Sequence, residues 1–593
     1  MPAMWPNARG GSVLILVLVV VAMLTLGAYT FSEIMLSESE ATAMFGRQAE
    51  SRAFAYSGVE HVTAVLGYPE TPSDANVYHN PLRYQAILMR DAESTRGRGY
   101  FSVVAATESD VTATSTRFGL IDESGKLNLN QIMSDQFGFE DDETLEREML
   151  MFLPNMTPEI ADAILDWIDD DDIPRTYGVE SDYYQSIEPP YYAKNAPLES
   201  VDELLMIAGV SPELLYGEDK NRNGLLDPNE NDGEASLPLD NADGILDVGW
   251  AAYLTTNSKE LNQRSDGEEK IFVNTNDLKG LYESIVEALD EDTARFIIAY
   301  RLYGSPNTDG PESESETNEA SSDATEPAEP GATSNQNDSN NPDNNERNNS
   351  REPEAQNDFT QALTTLGDAM AGGVGDQPVT VAGFDVREGG KVDIKSLYEL
   401  IGVVVEVPAE EEEDGQGNNA SGESPPAEVI ESPFADDPSS MESYLPQILD
   451  MLTTVDDKTI TGRINVNQAR YEVLMGVPGM TEDVALSISQ SSMVGADGAV
   501  TDDQLNIRAT NGWLVTQGIV DLQMMIEFDK FLTGGGDVYR AQVVGYFEEG
   551  GGHTRLEAVL DATESPVKIV RVSDLSELGR GYRQDILNGT VAE

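Results

Sequence analysis

No cysteine occurs among the 593 residues, so disulfides, thiol nucleophiles and thiolate metal sites are all excluded. Histidine is nearly absent as well. His61, His79 and His553 lie far apart and form no ligand-spaced motif, which removes the commonest zinc sites and general bases. There is no Gly-x-Ser-x-Gly elbow and no phosphate loop. Bases are scarce too: 36 Lys and Arg stand against 107 Asp and Glu, a net charge of -71. Such a surface repels nucleic acid and anionic headgroups and favours cations. These absences point away from an enzyme and away from a nucleic-acid partner.

What the chain does have is one long apolar run. From Ser12 to Ser32 no residue is charged, and at about 1.5 Å per helical residue this covers the roughly 30 Å of a bilayer core. Arg9 and the amino terminus precede it and belong on the cytoplasmic side, which puts the bulk of the chain across the membrane. The helical pattern continues through Met44, Phe45, Ala49, Ala53, Tyr56, Val59, Val62 and Leu66, and Gly67 and Pro69 stop it. One helix over 11–66 would be on the order of 84 Å long. A cleaved secretory signal cut near Gly27 is the competing reading, but Thr25 and Leu26 make a poor small-x-small site.

Strand patterns occur at both ends of the chain: 99–104 and 116–121 early, then 538–547, 554–560 and 567–572 late. The expected fold class is α+β, a long N-terminal helix with an antiparallel sheet interrupted by a large, mainly α-helical inserted domain. The expected division is 1–10 leader, 11–32 membrane half of the helix, 33–125 helix and first strands, 126–530 insertion, 531–593 last strands and tail. Within the insertion a phrase recurs: Leu127-Asn128-Leu129-Asn130, Phe272-Val273-Asn274-Thr275-Asn276 and Ile464-Asn465-Val466-Asn467. Each precedes a helix pair in a helix-hairpin-helix-like repeat, with Asn as the expected helix cap. Two polar, acid-rich stretches, 305–358 and 408–437, carry too little apolar surface to order and are expected to be disordered.

One stretch carries chemistry. Asp219-Lys220-Asn221-Arg222-Asn223-Gly224-Leu225-Leu226-Asp227-Pro228-Asn229-Glu230 fits the twelve-residue calcium loop. Asp219, Asn221, Asn223, Asp227 and Glu230 stand at oxygen-ligand positions, Leu225 offers its carbonyl and Gly224 takes the turning position. Asn241, Asp243 and Asp247, beside Asp240, form a poorer second candidate within the 215–250 region. The acids Asp169 to Asp172 could bind a cation or simply be a solvated helix end.

The leader ending in Arg9-Gly10, the apolar helix behind it and its amphipathic continuation resemble the type IV pilins and pseudopilins. In that class a prepilin peptidase cuts after the glycine, here between Gly10 and Gly11. The usual glutamate at the fifth mature position is replaced by Ile15, a departure that resembles the K-type minor pseudopilins of type II secretion. The phrases Asp166-Trp167-Ile168-Asp169, Tyr191-Tyr192-Ala193-Lys194-Asn195-Ala196-Pro197-Leu198 and the Asn repeats follow in the same order. The resemblance implies a tip subunit of a periplasmic pseudopilus, anchored once in the inner membrane. It also implies I-type and J-type minor pseudopilins as partners. Two alternatives remain: a subunit or adhesin of another type IV pilus-like machine, or a DNA-uptake protein. The second is suggested by Val477-Pro478-Gly479-Met480, which resembles a helix-hairpin-helix turn, although Glu472, Glu482 and Asp483 outnumber Arg463 and Arg470 around it.

Overall fold

The computed structural model describes residues 11–68, 77–107, 113–134, 143–236, 238, 240–306, 380–408, 428–491 and 502–589. Gly10 and most of both acid-rich inserts lie outside the described residues.

The apolar run and its continuation form one helix, Gly11–Gly67, 57 residues and about 86 Å long. It is the one helix among the described residues long and apolar enough to cross a membrane. Every residue from Val13 to Gly46 is exposed; contact with the sheet starts at Arg47, which lies over the Phe547 ring, and full burial begins at Ser51. The buried stripe is Ser51, Phe54, Ala55, Val59, Val62 and Val65, at helical spacing. The sequence reading started this stripe too early and turned it too far, because Met44, Phe45 and Tyr56 face outward.

The stripe lies on a sheet whose strand order is Ile87–Arg90, Gly99–Ala106, Val538–Phe547, Thr554–Asp561, Lys568–Asp574, antiparallel throughout. Its central strand thus comes from near the end of the chain and pairs on one side with an early strand, Val543 opposite Val103. Helix and sheet approach closely: a Cβ on Gly545 would stand 2.2 Å from the Ser51 carbonyl oxygen. Residues 116–121 are not one strand. Thr116–Arg117 pairs with Gly99–Ala106 and Ile121–Asp122 with Val538–Phe547. Between them buried Arg117 turns inward, donating to the carbonyls of Tyr78 and Leu120 at 2.7 and 2.6 Å.

A separate apolar cluster runs from Leu127 to Leu532, and the helix-and-sheet cluster draws only Leu225 from that span. Helix pairs follow each Asn phrase: Glu143–Met151 with Pro158–Ile168, Leu278–Ala288 with Glu291–Tyr303, and Tyr471–Met475 with Glu482–Ser489. The phrases themselves are short strands, each paired in parallel with a later Leu-Thr: Leu127–Asn128 with Leu254–Thr255, Ile271–Phe272 with Leu452–Thr453, Ile464–Asn465 with Leu532–Thr533. Asn128 caps the short 3-10 turn Leu129–Gln131 by accepting from the Asn130 amide at 3.1 Å, but the asparagines do not cap the α-helices of the pairs, Leu278–Ala288 being capped by Asp277. Asn130 ties the carbonyls of Leu198 and Thr256, Asn274 both donates to and accepts from Ile394, and Asn467 ties Arg508 and Gly534. A strand's free edge leaves backbone groups wanting partners, and a primary amide can serve two of them.

Residues 428–437 do not behave as an extension of the acid-rich insert. Glu428–Glu431 pairs with Val404–Val407, and Phe434 is buried. Ile430 and Phe434 supply the burial here, while Val429 faces outward.

Candidate functional site

The acid loop after Tyr216 is a closed turn. Asp219 accepts from the amides of Asn223 and Gly224 at 3.1 and 2.8 Å, and Gly224 takes φ +71° at the turning position. Glu230 reaches back to the amides of Lys220 and Asp227, both at 3.0 Å. Asn221 and Asn223 direct their amide NH2 groups to Asp227 Oδ2 at 2.6 and 3.1 Å. Five of the six expected side chains and carbonyls thus converge by direct hydrogen bonds. Leu225, expected to offer only its carbonyl, buries its side chain against the sheet, as a member of the helix-and-sheet cluster. Burial pushes Glu230 up to about 7, with Asp219 and Asp227 adding repulsion, and burial raises Asp219 as well.

The loop is clamped to the sheet and to the end of the chain. Gln542 Nε2 donates to the Arg222 carbonyl at 2.9 Å, Tyr582 Oη to the Asn223 carbonyl at 3.2 Å, and Arg555 Nη2 to the Asn221 and Arg222 carbonyls. The weaker candidate is not gathered in this way. Asn241, Asp243 and Asp247 are exposed; Asn241 and Asp243 each accept from an amide two residues on. Glu218, which the motif did not single out, is buried between the two stretches and raised first by burial.

A second acid centre is tighter. Helix Pro158–Ile168 buries two acids one turn apart, Asp162 and Asp166. Asp162 is matched by Arg147, whose Nε and Nη2 stand 2.5 and 2.9 Å from its oxygens. Asp166 instead meets Asp169 and Glu180, with one oxygen of each within 4.8 Å of the others. Both oxygens of Glu180 and Oδ1 of Asp169 are buried without a hydrogen-bond partner. Arg175 stands near, its Nε 3.6 Å from Asp166 and 3.9 Å from Asp169. Burial first, then repulsion from neighbouring acids, lifts Asp166 to about 7, Asp169 to about 6 and Glu180 to about 8; for Asp169 the repelling groups are Asp171 and Asp170. A Cβ on Gly178 would stand 1.9 Å from Asp166 Oδ2, so the centre needs a glycine there. Of the acidic run, only Asp169 joins this centre; Asp170, Asp171 and Asp172 are exposed. The three-residue step from Asp166 to Asp169 was visible in the sequence, but nothing local announces Glu180.

An ionised carboxylate has about four lone-pair positions, so hydrogen bonds from two amides leave room for a cation. The carboxylate centre offers only oxygen, which suits calcium or magnesium rather than a thiolate-seeking metal, whereas in the loop Asn221 and Asn223 turn their oxygens to the amides of Asn223 and Leu225 and would have to rotate to hold an ion. The hairpin turn at Gly479, φ +80°, joins two helices whose first turns carry Glu472, Glu482 and Asp483.

Residues 125–216, which include the second centre, match the family model described as type II secretion system (T2SS), protein K. Type II secretion system protein K of Aeromonas hydrophila is 26% identical over 223 residues, 35% of this chain and 62% of that protein. Its Klebsiella pneumoniae counterpart is 26% identical over 216 residues, 35% of this chain and 59% of that protein. A putative protein K of Escherichia coli K12 is 41% identical over 58 residues, 10% of this chain and 18% of that protein. The chain thus spans about 60% or less of the length of these curated relatives. A chain in the crystal structure of the GspK-GspI-GspJ complex from enterotoxigenic Escherichia coli aligns at TM-score 0.32 and 8% identity, covering 91% of this chain and 98% of that one. The family match over residues 125–216 and the three protein K relatives make this chain similar to protein K of the type II secretion system over the stretches they cover.

Proposed function

We propose that the chain is the minor pseudopilin at the tip of a type II secretion pseudopilus, a structural rather than enzymatic component for export of folded proteins across the outer membrane. The observation that carries this reading is the long helix: exposed and apolar over Val13 to Phe31, then packed from Ser51 onward on a sheet built from both ends of the chain. An apolar helix with nothing around it needs lipid or neighbouring helices. The apolar half sits once in the inner membrane, and the sheet and the body over 126–530, as an inserted domain, stand in the periplasm. The partners are I-type and J-type minor pseudopilins, and a prepilin peptidase releases Gly11 by cutting after Gly10.

Calcium belongs to this reading. Asp219, Asn221, Asn223, Leu225, Asp227 and Glu230 are the residues that would hold one ion, and Asp166, Asp169 and Glu180 another. The unpartnered oxygens of Glu180 and Asp169 support the second. The bound ion would neutralise buried carboxylates and hold the loop closed.

Processing is the direct test. Mass spectrometry of membrane-extracted protein should find a mature chain beginning at Gly11, and a Gly10→Leu chain should insert but stay uncut. A mature chain beginning near Ala28 would overturn the pseudopilin reading.

A further inference from the structure

A cavity of about 150 Å³ opens where the sheet meets the turn after Asp122 and the acid loop. The chain as a whole carries three acids for each base, yet here the ratio reverses. Lys126, Arg222, Arg470, Arg540 and Arg571 line the cavity, against Asp202, Asp219 and Glu557.

Most of these bases are held loosely. Arg540 is committed, with Nε and Nη2 at 2.7 and 3.1 Å from the two oxygens of Glu123. Three others reach acids only at long range, Lys126 to Glu123 at 3.5 Å, Arg222 to Asp202 at 3.7 Å, and Arg571 to Asp202 and Glu557 at 3.8 Å, while the Arg222 guanidinium also lies over the Tyr216 ring, 3.7 Å from its centroid. A charge-assisted hydrogen bond ordinarily closes to about 2.7–2.9 Å. Lys126 is 7% exposed, and burial together with Arg540 lowers its pKa to about 8. A buried ammonium with oxygens only at 3.4 and 3.5 Å is an incomplete arrangement.

Size selects the ligand. The volume falls below the roughly 300–1,000 Å³ of clefts for organic ligands and equals about five waters of liquid. An inorganic phosphate or a four-carbon dicarboxylate matches this size, and a nucleotide is larger.

We propose that this cavity binds a small oxyanion of the phosphate or dicarboxylate class, held chiefly by Lys126, Arg222 and Arg571. These residues sit on three separate segments, the turn after Gly125, the acid loop and the edge strand Lys568–Asp574. The anion therefore joins the sheet to the body that follows Leu127, a role independent of the secretion reading.

The experiment titrates the full chain in detergent with inorganic phosphate and with succinate by isothermal calorimetry, holding ionic strength with chloride. Saturable one-site binding of at least one anion is expected. It should weaken about tenfold in Lys126→Met, which keeps the apolar stem, and likewise in Arg571→Gln, which is partly exposed and keeps the fold. Arg295→Gln, whose exposed pair with Glu428 lies off the cavity, should bind as the wild type does. Heat no greater than the chloride control for both anions overturns the proposal. So does equal affinity in the wild type, Lys126→Met and Arg571→Gln.

Discussion

The two acid centres solve the same electrostatic problem in opposite ways. In the loop, the carboxylates are already spent on protein donors: Asp219 and Glu230 each on two backbone amides, and Asp227 on the side chains of Asn221 and Asn223. In the centre at the end of helix Pro158–Ile168, Glu180 and one oxygen of Asp169 have no donor at all. The loop is the better motif, yet the centre without a motif has the greater need for a cation. A spacing rule records where ligands fall along a chain; it does not record which of them the fold has already satisfied.

The largest expected effect follows from that difference. Calcium binding only the folded chain adds about 2.7 kcal/mol when free ion is a hundredfold above its dissociation constant. Thermal melting of the full chain should therefore rise in millimolar calcium over chelator at matched ionic strength. Glu180→Gln should raise the melting point in chelator and remove most of the calcium increment. Equal melting of the wild type with and without calcium would end the comparison.

The next effect is on pH. Asp166, Asp169 and Glu180 are raised to about 7, 6 and 8, above unfolded values of about 3.9 for Asp and 4.3 for Glu. The folded chain thus binds more protons than the unfolded one over that range, and stability falls as pH rises from about 4 to 8. In chelator the melting point should drop across this window. Calcium should flatten the drop, since the ion takes the place of the protons. A flat profile in chelator would mean that other groups neutralise the centre.

The smallest effects separate loop from surface. Glu230→Gln should lower the calcium increment by less than Glu180→Gln does, because both Glu230 oxygens are already engaged by the amides of Lys220 and Asp227, although the glutamine keeps an oxygen for only one of them. Asp243→Asn, exposed and in its own turn, should stay within about 0.5 kcal/mol of the wild type under either condition. A larger loss for Asp243→Asn than for Glu230→Gln would move the ion to the 241–247 stretch.

The long helix was legible because periodicity and charge depletion are local properties, and the late strands 538–547 and 554–560 because alternation is too. The phase of the packed stripe was not, since outward Met44 and Phe45 look like core residues until a sheet fixes which side is inside. The helix pairs showed through their repeated Asn phrases. Their Leu-Thr partners did not: two residues carry no periodicity, and pairing across a long separation leaves no local mark. Of the loop, Asp219, Asn221, Asn223, Asp227 and Glu230 were readable from spacing alone. Glu180 was not, because its relation to Asp166 exists only once the chain between them has turned at Gly178.

The central strand Val538–Phe547 sets a timetable for folding. It pairs with Gly99–Ala106 on one side and Thr554–Asp561 on the other. A chain delivered from its amino end therefore spends nearly its whole emergence with Phe54, Ala55, Val59 and Val62 uncovered. Each Asn phrase likewise waits for its Leu-Thr partner before it can close. Long-range pairing of this kind is slow and leaves apolar surface open to aggregation. A chain cut before Val538 would keep its long helix and lose most of the sheet that covers it, so damage near the carboxyl end is felt first at the amino-terminal helix.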